Sequence, residues 1–255
     1  MSVLFDDASS EYLDRAGAVV NAPSFTVACW ANSNDTTVAQ ALFNIAQTGS
    51  TGNHYLLWLA GNVAGDPLRF AAIPDNGIFA AASTTNGYTA NTWRHCCAIE
   101  GYNGDAASRR VILDGNWANS GTNETLTVPG GMNRTAVGRF DRGSSYIYMS
   151  GSIAEIAVWN LALLQGEVEA LGIGRAHPLA IRPANLVLWL PMKDVTDLRS
   201  IIGDYTFTAY NTPASAEHIG LGYPGGLGYV QYTPAAAGGS AVPAIMRYYR
   251  NRRVA

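Results

Sequence analysis

Glycoside hydrolysis needs two carboxylates facing each other across the bond, about 5–9 Å apart. In this chain Glu155 stands alone in the apolar run Gly151–Trp159, flanked by Ala154 and Ile156. That run offers one acid where the reaction wants two. There is no Gly-x-Ser-x-Gly turn, no phosphate-binding Gly-rich loop and no His-Glu-x-x-His helix. His54, His95, His177 and His218 are scattered along the chain and read as structural histidines. No catalytic residue, metal ligand or cofactor is expected, and the chain reads as a non-enzyme. Asp6, Asp7, Asn133 and Asp141 have the oxygen ligands that calcium takes on loops. Asp and Asn also close turns by bonding nearby amides, and that is the preferred reading of all four.

Two other kinds of residue invite recognition chemistry. Aromatic rings beside side-chain amides can stack on a sugar ring while the amide bonds its hydroxyls. Asn53-His54-Tyr55, Tyr102-Asn103 and Asn116-Trp117 have this form, so Asn53, His54, Tyr55, Tyr102, Asn116 and Trp117 are candidate glycan-binding residues. The second kind is the C-terminal stretch holding Ile245, Met246, Arg247, Tyr248, Tyr249, Arg250, Arg252 and Arg253. Arg and Tyr each combine a large contact area with hydrogen bonding. These eight residues are candidates for docking onto a partner protein.

The elements that would position such residues are strands. Apolar residues make up 48% of the 255-residue chain and charged residues only 14%, against about 25% charged in an average globular protein. With 27 Gly and 13 Tyr, the composition suits short strands and turns better than helix bundles. β-type runs recur at Phe25–Ala31, His54–Ala60, Leu68–Ile73, Thr92–Ile99, Arg110–Leu113, Thr135–Phe140, Gly151–Trp159, Leu186–Pro191 and Tyr205–Tyr210. Leu164, Val168 and Leu171 repeat at helical spacing and predict one short helix. From about residue 212 the composition changes, and 220–239 is dense in Gly, Ala and Pro without apolar periodicity. Residues 1–212 therefore read as one domain and 213–255 as an extended arm with a basic, aromatic end.

The net charge is −3, yet residues 247–255 hold four Arg and no acid, leaving −7 on residues 1–246. An acidic body lacks the electrostatic footprint of a specific nucleic-acid binder. No apolar run approaches the ~20 residues that span a bilayer, and Met1–Asp7 has no signal-peptide pattern. Cys29, Cys96 and Cys97 read as reduced, buried small hydrophobes. Cytoplasmic production is the expectation.

Several segments, taken in order, resemble the laminin-G-like, concanavalin A-like jelly-roll family. Ser24–Ala31 resembles its early strand, Asn91–Ile99 its Trp-x-His strand, and Val111–Gly115 its Asp-Gly hairpin. Met149–Leu163 resembles its Gly-x-Ile-Asp-Glu strand, with Ala154 where the family has Asp, and the helix follows as it does there. Leu186–Pro191 resembles the strand that usually opens the domain, here displaced to a late position. The resemblance implies an all-β, two-sheet antiparallel jelly-roll sandwich with one short helix and the C-terminal arm. The glucanases of this architecture carry a Glu-x-Asp-x-x-Glu run, and it is absent here. By resemblance to bacteriophage structural proteins, the expected function is a non-enzymatic virion component. It would be a capsid decoration (cement) protein or a head or tail fibre part on the virion surface, assembled in the host cytoplasm. Its partners would be the major capsid or other virion proteins and further copies of itself, with surface glycans as weak ligands. The alternative is a lectin-like carbohydrate-binding module mediating adhesion to glycans.

Overall fold

A computed structural model describes residues 2–75, 80–124, 128–142 and 145–221. The strands of the first half are β1 (Ser2–Phe5), β2 (Tyr12–Ala16), β3 (Phe25–Ser33), β4 (Ala39–Ala46), β5 (His54–Ala60), β6 (Pro67–Ile73), β7 (Ala80–Gly87), β8 (Arg94–Glu100) and β9 (Arg109–Leu113). The second half holds β10 (Gly121–Asn123), β11 (Arg134–Val137), β12 (Arg139–Arg142), β13 (Ser145–Tyr148), β14 (Gly151–Trp159), helix α1 (Gln165–Gly172), β15 (Leu186–Leu190), β16 (Thr208–Tyr210) and β17 (Ala214–Ala216). Two antiparallel sheets stack face to face, as the alternating strands require. One runs β10-β9-β8-β3-β14-β1-β17 with β15 also on β14, and the other runs β16-β2-β11-β4-β5-β6-β7. This is the expected jelly-roll sandwich with one helix. Among the described residues no helix is long and apolar enough to cross a membrane.

Alternation decides what faces the space between the sheets. Phe25, Val27, Cys29 and Ala31 of β3 enter that core, as do Cys96 and Ala98 of β8. Cys97 and Ile99 point the other way, into a second core that α1 closes over the outer face of the eight-stranded sheet. All nine residues of β14 are buried because both of its faces are covered. A third, smaller apolar cluster lies outside the seven-stranded sheet. There Ala41, Leu56, Trp58 and Ile73 pack with Phe140 and Ile147 of the β12–β13 hairpin.

The structure departs from the sequence reading in several places. The run Thr135–Phe140 is not one strand. Gly138 takes φ +74° and divides it, so that β11 stays in the sheet and β12 folds back as a hairpin. A Cβ at Gly138 would sit 3.1 Å from the Phe5 ring, so the joint needs a glycine twice over. β15, the late strand, pairs with β14 in a sheet whose first and last described strands, β1 and β17, lie side by side. It shares one edge of β14 with β1, taking Ile156–Trp159 while β1 takes Gly151–Ile153. The pairing of β17 with β1 carries sheet structure past the expected boundary at 212. The compact unit comprises residues 1–222. The rest of the expected arm, with Ile245, Met246, Arg247, Tyr248, Tyr249, Arg250, Arg252 and Arg253, lies outside the described residues.

Candidate functional site

The structure separates the six candidate glycan residues into two groups. Asn53, His54 and Tyr55 do not form a stacking platform. Asn53 takes φ +56° at a turn, accepts from the Gly130 amide at 3.2 Å and donates to Gln47 Oε1 at 2.8 Å. His54 is 1% exposed, with its ring 5.2 Å from that of Phe140 on the overlying hairpin. Tyr55 is 2% exposed and packs edge-on against Phe25 at 4.8 Å in the central core. Desolvation pushes its hydroxyl well above the usual tyrosine range. Neither ring has a free face, which corrects the expectation for this triplet.

Tyr102, Asn116 and Trp117 do come together, around a residue not singled out from the sequence. The Arg110 guanidinium lies 4.6 Å from the Tyr102 ring and 4.4 Å from the Trp117 ring. Its Nη1 donates to Ser120 Oγ at 3.1 Å. Glu124 accepts from the Tyr102 hydroxyl at 2.5 Å and from Asn103 Nδ2 at 3.3 Å, and that bond raises the Tyr102 hydroxyl above its ordinary range. Asn116 spends its carbonyl on the Ala118 amide at 3.1 Å, capping the short turn that holds Trp117. Each ring therefore has one face occupied by Arg110.

A larger aromatic surface lies on the outer side of the seven-stranded sheet. Tyr12 of β2 and Tyr210 of β16 are direct cross-strand partners, and their rings stack at 4.6 Å with an interplanar angle of 2°. Tyr146 and Tyr148 of β13 stack at 6.1 Å, with Tyr148 6.2 Å from Tyr12. The Arg139 guanidinium lies 4.4 Å from the Tyr12 ring and 4.8 Å from the Tyr146 ring and ties the two pairs together through cation–π contacts. Tyr146 and Tyr210 are 46% and 41% exposed. Beneath the rings, Arg134 grips Asp14 with two bonds of 2.6 and 3.0 Å and reaches Asp141 at 3.0 Å. Arg139 meets the same Asp141 oxygen at 2.6 Å. Arg134 and Arg139 thus engage both carboxylates beneath a face rich in aromatic surface.

The remaining acidic candidates have local partners. Asp6 accepts from the Ala8 amide at 3.1 Å and from Ser9 Oγ at 2.7 Å, and Asn133 Oδ1 accepts from the Thr48 amide at 2.8 Å. With Asp141 held by arginines, three of the four positions read as calcium ligands or turn caps have protein partners. Glu155 sits in a β-bulge at φ +53°. Its carboxylate accepts the Trp189 indole N–H at 2.8 Å and lies 3.4 Å from His218 Nε2. The His177 ring packs edge-on against Trp189 at 4.2 Å, and burial lowers the His177 pKa. This buried polar cluster joins β14, β15 and the segment after β17, and nothing in the spacing of its residues announces it.

Comparison with known proteins fits this geometry. A family model described as the concanavalin A-like lectin/glucanases superfamily matches residues 7–169. No curated protein matches the chain. Among solved structures, the heptameric SAP-like pentraxin of Limulus polyphemus superposes with a TM-score of 0.56 at 14% identity, covering 84% of this chain and 94% of that one. The CBM40 of the Ruminococcus gnavus IT-sialidase, bound to α2,3-sialyllactose, gives 0.50 at 12% identity over 60% of this chain and 84% of its own. Domain 4 of an extracellular arabinanase from Geobacillus stearothermophilus, in complex with arabinotriose, gives 0.51 at 16% identity over 66% and 75%. At these identities the likeness is one of fold.

Proposed function

Because the chain belongs to the concanavalin A-like lectin/glucanase superfamily, a fold that hosts many functions, we propose that it is a non-catalytic glycan-binding module whose tyrosine face receives the sugar. The observation that carries this reading is the set of four tyrosines brought from β2, β13 and β16 onto one surface, with Tyr146 and Tyr210 open to solvent. Pre-stacked rings held by Arg139 lose little freedom when a ligand arrives, and such preorganisation favours binding. Asp14 and Asp141 are engaged by arginines, so the face suits a neutral saccharide. The carbohydrate complexes among the similar folds support a saccharide as the ligand, the arabinotriose complex a neutral one.

The test is affinity electrophoresis and calorimetry against a panel of neutral and sialylated oligosaccharides. A neutral glycan should bind, and Tyr210→Ala or Tyr146→Ala should weaken it about tenfold, equivalent to ~1.4 kcal/mol. Binding that is confined to sialylated ligands, or that is unchanged in both variants, would sink the assignment. The virion role gains no observation from the described residues. The segment that chiefly carried it lies outside them, and none of the three similar structures named above is a virion protein.

A further inference from the structure

The outer face of the eight-stranded sheet carries a second recess. Asn32 of β3 and Ser152 of β14 are direct cross-strand partners. Their neighbours Ala31 and Ile153 point into the central core, so Asn32 and Ser152 point outward, side by side. Trp93 immediately precedes β8, where Arg94 pairs with Ala31, and therefore extends the same row. On the other side, the chain after β17 lies along the outer side of β1. Ser2 Oγ donates to the Glu217 carbonyl at 2.9 Å, and His218 reaches Glu155 at 3.4 Å. Between these walls is a cleft of about 420 Å³ bordered by Asn32, Trp93, Ser152, Glu217 and His218.

The chemistry of the lining narrows the occupant. The floor is the amide of Asn32 and the hydroxyl of Ser152, one wall holds Trp93, and the other is the chain from Ala216 to Gly220. Asn32 Oδ1 is enclosed and accepts no hydrogen bond from the protein, although enclosed side-chain oxygens nearly always have a donor. A polyhydroxylated ring answers each feature. Its hydroxyls can donate to Asn32 Oδ1 and exchange bonds with Ser152, while its C–H face lies along Trp93. The polar floor disfavours a purely apolar ligand. The volume lies toward the small end of ligand sites, roughly 300–1,000 Å³, which suits one or two rings. We propose that this cleft is a second saccharide site, for a terminal sugar, on the opposite sheet from the tyrosine face. It shares a ligand class with that face and none of its residues.

Titration of ¹⁵N-tryptophan-labelled protein with the methyl glycosides of glucose, galactose, mannose and N-acetylglucosamine tests the proposal. The Trp93 indole resonance should shift saturably at millimolar concentrations of at least one sugar. Asn32→Leu should raise the apparent Kd about tenfold, and the milder Ser152→Ala should raise it several-fold without risk to the strand. Tyr210→Ala should leave the Trp93 titration unchanged. Absence of a saturable Trp93 shift with all four sugars, or a Kd unmoved by both Asn32→Leu and Ser152→Ala, would overturn it. So would loss of the shift in Tyr210→Ala, because the two sites would then not be separate. Retention of the Trp93 titration by a protein whose oligosaccharide affinity ignores Tyr146→Ala and Tyr210→Ala would refute the tyrosine face alone.

Discussion

Arg109→Met is the most informative single perturbation of the sandwich. Arg109 and Glu100 are side by side on β9 and β8 with side chains 0% exposed. Two bonds join them, Nε to Oε2 at 3.1 Å and Nη2 to Oε1 at 3.0 Å, and Nη1 also donates to Asn123 at 3.1 Å. Desolvation lifts the Glu100 carboxyl from 4.5 to about 7, and Arg109 is what restrains the rise. Removing the guanidinium leaves a carboxylate in the interior with no counter-charge, a change that costs about 3–5 kcal/mol. Its sign with pH follows from the direction of the shift. A carboxyl whose folded pKa is raised contributes stability that is complete below the unfolded value of 4.5 and is lost as pH rises through the folded value. Without Arg109 the folded value climbs further, so the loss should be flat up to the wild-type folded value of about 7 and grow by up to about 1.4 kcal/mol per pH unit above it. Urea denaturation at pH 4.5, 6 and 8 reads this directly. The double variant Glu100→Met/Arg109→Met removes both charges and should recover at least ~2 kcal/mol relative to Arg109→Met at pH 8. A cost of the single change below ~1 kcal/mol at pH 8, or one that does not vary with pH, would refute the reasoning.

Three other outcomes test different parts of the structure. His95 is fully buried and desolvation lowers its pKa from 6.5 to about 3. It therefore contributes stability that is present above 6.5 and lost as pH falls toward 3, and His95→Gln should flatten the acid limb of a stability–pH profile. Gly121→Ala should cost about 3 kcal/mol in chemical denaturation, because its Cβ would stand 1.8 Å from the Ser83 carbonyl on β7 of the opposite sheet. Glu155→Leu should cost about 2 kcal/mol and shift tryptophan fluorescence, since the Trp189 indole N–H loses its acceptor.

What could be read in the sequence follows from how local each signal is. Gly151–Trp159 and the helix after it are continuous in the chain, so motif and periodicity were enough to place β14 and α1. Ala80–Gly87 escaped because Ala, Asn and Gly are depleted in strands, and Ala39–Ala46 because Leu42 and Phe43 are adjacent and break the apolar alternation. Those strands exist because their neighbours in the sheet supply the pairing and the burial. His54 and Tyr55 looked like a loop-edge platform, but His54 opens β5 and is covered by a hairpin from residues 139–148. The tyrosine face failed to appear for the opposite reason. Tyr12 and Tyr210 are near opposite ends of the described chain and meet only because β16 pairs with β2. Ala214–Ala216 has no strand signal of its own and is ordered by the edge that β1 offers.

The position of both proposed sites has a common structural cause. Strands long enough to bury one face against the partner sheet also expose a second apolar face, and each sheet of this protein covers that face only in part. On the eight-stranded sheet, α1 and the loop after it shield Ala157 and Trp159 at one end of β14. Ser152 and Asn32, at the other end, remain beside the cleft. On the seven-stranded sheet, the β12–β13 hairpin shields Leu56 and Trp58, while Tyr146 on that hairpin and Tyr210 on the edge strand stay exposed. Both proposed sites lie where a cover stops. There a flat sheet meets a raised edge, and aromatic rings are fixed by the sheet yet open on one side. The sandwich core can stay constant while the covering elements vary, which is why such a fold can change ligand without changing its architecture.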